Sequence, residues 1–94
     1  MIQSFACAET KALFETGSSR RFANILAAAE RKLTLLDAAA TLGALRVPPG
    51  NRLETLRGDL AKSYSIRIND QWRICFEWPA DSSGPINVEI TDYH

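Results

Sequence analysis

A chain of 94 residues is sized for one domain, spanning 1–94. Its hydrophobic share of 46% and charged share of 23% are ordinary for a soluble globular protein. The 11 Lys and Arg residues balance the 11 Asp and Glu residues. That zero net charge removes the global basic excess by which nucleic-acid binders usually show themselves.

In chain order, residues 1–5 read as a short first strand. Residues 9–15 are compatible with a helix, with Gly17 placed to cap its end. Ser18 and Ser19 are N-cap candidates for a second helix. In that helix Phe22, Ile25, Leu26, Ala29, Leu33 and Leu36 recur at spacings of three and four and form one apolar stripe. The Ala-rich segment 37–45 suits a short helical turn, and Val47-Pro48-Pro49-Gly50-Asn51 stops it.

Beyond Gly50 the period changes to two. Residues 52–56 read as a strand, Gly58-Asp59 as a turn, and 64–68 as a strand. In the latter, Tyr64, Ile66 and Ile68 share one face, and Ser65 and Arg67 the other. Residues 69–71 connect a hairpin. Trp72, Ile74, Phe76 and Trp78 then line one face of a strand, with Arg73, Cys75 and Glu77 opposite. After a turn-rich loop at 79–85, Ile86, Val88 and Ile90 form one face of a last strand, and Asn87, Glu89, Thr91 and Tyr93 the other. The reading is an α+β domain, with two helices on the apolar face of an antiparallel meander and a polar face carrying Arg67, Arg73 and Tyr93.

Charge is unevenly spread. Residues 46–73 hold six cations (Arg46, Arg52, Arg57, Lys62, Arg67, Arg73) against Glu54, Asp59 and Asp70. The segment from Ile74 onward holds four acids and no Lys or Arg. Cys7 and Cys75 lie in no Cys-x-x-Cys pattern, which argues against a disulfide framework or a zinc site. Neither a signal-peptide core nor an apolar run long enough to span a bilayer is visible, so the expected location is the cytoplasm.

Basic residues plus a terminal Tyr-His suit one reaction. Cutting RNA through its own 2′-hydroxyl needs a base for that hydroxyl, cations for the pentavalent phosphate, and an acid for the departing 5′ oxygen. Arginine's planar fork meets phosphate oxygens in pairs, and histidine titrates near neutrality. Each residue also has a plainer reading. His94 suits a solvated tail, Tyr93 an edge aromatic, and Arg73 a surface arginine. Arg57 can pair with the turn aspartate, and the Trp72/Phe76/Trp78 stripe suits the core better than a stacking platform. Cys75 has no His neighbour in sequence and reads as packing. Residue chemistry alone stops at a small α+β domain with a cationic polar sheet face.

The stretches RVPPGNRLETLRGD at 46–59 and YSIRINDQWRICF at 64–76, with MIQSF at the start and DYH at 92–94, resemble the HigB-type plasmid-maintenance killer proteins of the RelE superfamily. The resemblance runs the whole chain in the expected order. It implies a RelE-like fold with about four to five strands. It also implies a type II toxin that cleaves mRNA in the ribosomal A site without a metal or cofactor. The implied partners are the ribosome, mRNA and a HigA-type helix-turn-helix antitoxin, with operator DNA reached only through the antitoxin complex and no membrane.

Carried over by position, Arg73 matches the phosphate-stabilising arginine, Tyr93 and His94 the terminal pair, and Asp92 the acid before it. Arg57 stands where some relatives carry lysine. Glu54 stands where some carry histidine, which leaves His94, Glu54 and Tyr93 as alternatives for the base. Arg67, Arg52, Lys62 and Asp92 are then substrate or RNA contacts. The neutral net charge departs from the strongly basic RelE stereotype. A non-catalytic module, which blocks the ribosome or serves as antitoxin-bound corepressor, is the competing reading.

Overall fold

The computed structural model describes residues 1–56 and 63–92. Two helices, α1 (Ala8–Thr16) and α2 (Leu26–Ala38), lie against one face of a four-stranded antiparallel sheet. Its strands β1 (Glu54–Thr55), β2 (Ser63–Arg67), β3 (Trp72–Glu77) and β4 (Ile86–Asp92) run in sequence order, as a meander. This is the α+β arrangement expected from the change of period at Gly50. No helix among the described residues is long and apolar enough to cross a membrane.

Gly17 ends α1 as its position suggested. It adopts the left-handed φ of 74° that costs a glycine little, and its N–H bonds the Leu13 carbonyl at 2.8 Å. The second helix starts later than the serines indicated. Ser19 Oγ does accept the Phe22 N–H at 3.1 Å, but one 3-10 turn, Ala23–Ile25, intervenes before α2 begins at Leu26. Tertiary packing explains the delay. Phe22 is fully buried with its ring edge-on to Trp72, centroids 5.6 Å apart, and this anchor lies outside helical geometry. The rest of the stripe behaves as read: Ile25, Ala29, Leu33 and Leu36 are buried in the same cluster as Ile66, Ile74, Phe76, Trp78, Val88 and Ile90. Of the aromatic stripe, Phe76 and Trp78 are therefore core, and Trp72 is partly buried against it.

Register sorts the sheet into two faces. Ile66, Ile74 and Ile90 stand opposite one another on the helix side. On the other side one row runs Glu54–Ser65–Cys75–Glu89, and the next runs Arg67–Arg73–Thr91. The strand expected over 52–56 shrinks to Glu54–Thr55, because Arg52 takes a left-handed φ of 46° that cannot continue extended pairing. The turn expected at Gly58-Asp59 lies outside the described residues.

The expected first strand is reduced to a single parallel bridge, Phe5 to Val88. It nonetheless closes the outer edge of β4. Val88 N donates to the Ser4 carbonyl at 3.1 Å, Ala6 N donates to the Val88 carbonyl at 3.0 Å, and Asn87 N donates to Ser4 Oγ at 2.9 Å. Further along the same edge, the buried hydroxyl of Thr10 in α1 accepts the Ile90 N–H at 3.0 Å. An edge strand left open is a template for aggregation, and these contacts remove it. Thr10→Val keeps the shape but leaves the buried Ile90 N–H without an acceptor. We expect a loss of about 1–3 kcal/mol, read as a lowered urea midpoint with an unchanged slope.

The segment after α2 is held by polar contacts. The helical turn expected within 37–45 is split between the end of α2 and a 3-10 turn, Leu42–Arg46, whose N-terminus is capped by Thr41 Oγ1 accepting Ala44 N–H at 3.3 Å. Asn51, read from sequence only as part of a helix stop, is fully buried. Its amide nitrogen donates to the Leu45 and Val47 carbonyls at 3.2 and 3.4 Å, and its oxygen accepts Lys32 Nζ at 2.5 Å. It thereby pins the chain just before Arg52.

Candidate functional site

The polar face of the sheet becomes a site where β1, β2 and the β2–β3 hairpin meet. Arg73 points to this face as alternation required. It is not a surface arginine, however: only 7% of the residue is exposed. Burying a guanidinium carries a desolvation cost of several kcal/mol unless its donors are satisfied. Here Nε donates to Ser65 Oγ at 2.8 Å. One terminal nitrogen donates to the Arg52 carbonyl at 2.6 Å and the Ser65 carbonyl at 3.3 Å. The same nitrogen lies 3.2 Å from Glu54 Oε1, a carboxylate whose side chain is 56% exposed. The left-handed backbone at Arg52 is part of this arrangement, since its carbonyl is one of the acceptors.

Arg67 stands directly across the β2–β3 ladder from Arg73. Like charges in that position repel, and each guanidinium here has its own carboxylate: Glu54 for Arg73, and Asp70 for Arg67. The hairpin that carries Asp70 is stiffened by Asn69, whose side-chain oxygen accepts the N–H groups of Gln71 at 2.9 Å and Trp72 at 2.8 Å. Arg52, Glu54, Arg67, Asn69, Asp70 and Arg73 line a concavity of about 270 Å³.

Four of the sequence candidates, Arg52, Glu54, Arg67 and Arg73, are thus brought into one place. Asp92 is not among them. It pairs with Trp72 at the same end of the sheet but on the helix-side row, where its carboxylate accepts the Gln71 amide at 3.1 Å. Arg57, Lys62, Tyr93 and His94 lie outside the described residues. The concavity also contains Asn69 and Asp70, and Arg73 rests on Ser65; sequence reading gave none of these three a role. Ser65 was legible in principle, because it shares the alternating face with Arg67 and stands one row from Arg73.

Cys75 neighbours the site on the same face. Burial pushes its thiol pKa up; the Glu89 carboxylate adds to the rise, while a hydrogen bond with Thr91 and the charge of Arg73 oppose it. A thiol so placed stays protonated near neutrality and packs rather than attacks. Chemically, the concavity offers two adjacent guanidiniums whose carboxylate partners are exposed to solvent, and guanidiniums are the groups best shaped to meet phosphate oxygens.

Comparison with known proteins bears on what such a site serves. Residues 3–94 match a family described as the RelE-like toxin of the type II toxin-antitoxin system HigB. The chain is 54% identical over 48 residues to Toxin HigB-1 of Vibrio cholerae serotype O1, a match covering 51% of this chain and 50% of that protein. It is 38% identical over 71 residues to an uncharacterized protein of Haemophilus influenzae, covering 76% of this chain and 70% of the relative. The chain thus matches half the length of the Vibrio relative. With the family match spanning nearly every residue, together with the two-layer fold, this chain belongs to the HigB-like family of RelE-like toxins of type II toxin-antitoxin systems.

Proposed function

We propose that this protein is a ribosome-dependent endoribonuclease that cuts mRNA in the ribosomal A site and so arrests translation and growth. The reading is carried by one observation, a buried Arg73 held across from Arg67 in a concavity lined by three arginines. In the reaction, a ribose 2′-oxygen attacks the neighbouring phosphorus as its proton passes to a base. The bond to the 5′ oxygen breaks, and an acid protonates that oxygen. The products are a 2′,3′-cyclic phosphate and a 5′-hydroxyl, with no metal or cofactor in the scheme. Arg73 stabilises the pentavalent phosphate. His94, Glu54 or Tyr93 takes the first proton, and Arg57 adds positive charge. Arg67, Arg52, Lys62 and Asp92 contact RNA or the ribosome.

The restraining partner in this reading is a HigA-type helix-turn-helix antitoxin, through which alone the complex reaches operator DNA, and the setting is the cytoplasm. A second reading also has an observation in its favour. Glu54 and Asp70 already neutralise the two guanidiniums, as in a module that binds the ribosome or antitoxin without cutting. Induction of the chain in growing cells separates the two. Cleavage predicts growth arrest with new mRNA ends bearing 5′-hydroxyls inside translated frames. Growth arrest with intact messages sinks the nuclease and favours the binding module.

A further inference from the structure

We propose that Ser65 is the positioning residue that aims Arg73; the inference rests on the nuclease reading given above. An arginine side chain on a strand has four soft torsions and, unsupported, spreads over many rotamers. Ser65 removes that freedom at Arg73. It sits on β2, one of the two inner strands, fully buried, with Glu54 and Cys75 as its lateral neighbours. From there it meets the guanidinium twice, accepting Nε–H on its hydroxyl at 2.8 Å and a terminal N–H on its carbonyl at 3.3 Å.

Two anchored points on a planar group set both its plane and its direction. The Arg52 carbonyl, at 2.6 Å from the same terminal nitrogen, locks the group from the loop side. Charge-assisted bonds of this kind are about twice as strong as neutral ones. A fully buried acceptor also has no water competing for its donor.

The serine is therefore more than filler on a polar face. An alanine in its place keeps the strand, the ladder and the carbonyl acceptor, and removes only the hydroxyl that holds Nε. A threonine keeps the hydroxyl and suits a strand. The consequence for chemistry is directional. A guanidinium already pointed at the phosphate loses nothing to reorganisation in the transition state, whereas a swinging one does.

Two measurements test this. The first is the exchange of arginine Nε–H protons with water, followed by nitrogen-15 NMR. In the unaltered protein Arg73 Nε–H should exchange far more slowly than that of exposed Arg46. The protection should vanish in Ser65→Ala and persist in Ser65→Thr. Exchange at Arg73 as fast as at Arg46 in the unaltered protein overturns the proposal without any variant.

The second is single-turnover cleavage on mRNA-programmed ribosomes. Ser65→Ala should lower the saturating rate about tenfold to a hundredfold. The half-saturating ribosome concentration should stay within about twofold, and Ser65→Thr should recover most of the rate. Ser65→Ala cleaving like the unaltered protein while Arg73→Ala does not cleave would overturn the positioning role and leave the nuclease reading intact. If the unaltered protein cleaves nothing, it is the nuclease reading that fails, and the exchange measurement still decides whether Ser65 holds Arg73.

Discussion

On the proposed nuclease reading, replacing Arg73 with alanine will reduce mRNA cleavage on programmed ribosomes by about a hundredfold to a thousandfold, the range found for loss of one preorganised group facing a developing oxyanion. The size stems from where the guanidinium sits. At 7% exposure it works in surroundings poorer in water than the surface, where its field is less screened. It is also held by backbone and side-chain acceptors before any substrate arrives. Arg73→Lys will recover only part of the activity, since an ammonium keeps the charge but has no Nε–H for Ser65 and no planar fork for phosphate.

The same variants report on folding. Arg73→Ala strands the Ser65 hydroxyl and the Arg52 carbonyl, so a stability loss of about 1–3 kcal/mol accompanies the activity loss. Antitoxin binding should survive if the domain remains folded. A cleavage rate within about threefold of the unaltered protein, well short of the range for such a group, would remove Arg73 from the chemistry. The paired arrangement with Arg67 would then be structural.

Phe22→Ala will be the most destabilising single truncation, with an expected loss of about 3–5 kcal/mol from the transfer and cavity terms together. Phe22 is fully buried between the helical layer and the sheet and meets Trp72 edge-on. A domain of 94 residues holds a total of only about 5–14 kcal/mol at typical stabilities per residue. The variant therefore forfeits a large fraction of the folding free energy. Equilibrium urea denaturation is the measurement. A loss under about 1 kcal/mol, below the range for a buried aromatic, would mean the cavity collapses and that Phe22 is not the wedge between the layers. Because this change lies on the helix side of the sheet and Arg73 on the other, the two losses should add when combined.

Periodicity makes most of the architecture legible. The three-and-four spacing from Ile25 to Leu36 marks a helix buried on one side, and the helix is there. Alternation in Trp72–Glu77 and Ile86–Asp92 placed Ile74, Phe76, Val88 and Ile90 inward and Arg73, Glu89 and Thr91 outward. Such patterns record burial, which is a one-residue property. They carried less about element ends. Phe22 fits the helical spacing, yet its contact with Trp72, distant in sequence, sets its geometry.

The site shows the same division. Sequence patterning determined the fold class and the two faces of the sheet, and the family resemblance singled out Arg52, Glu54, Arg67 and Arg73 as candidates. Only the tertiary structure decided that these four converge and that Asp92 falls on the other face. It also decided that the outward arginine is buried rather than exposed. Alternation states which side of a strand a residue occupies, but not what covers that side. Here the cover is a loop carbonyl 21 residues away at Arg52, turned by a left-handed backbone that Asn51 pins in place. That is a property of how the chain returns on itself, which no local pattern encodes.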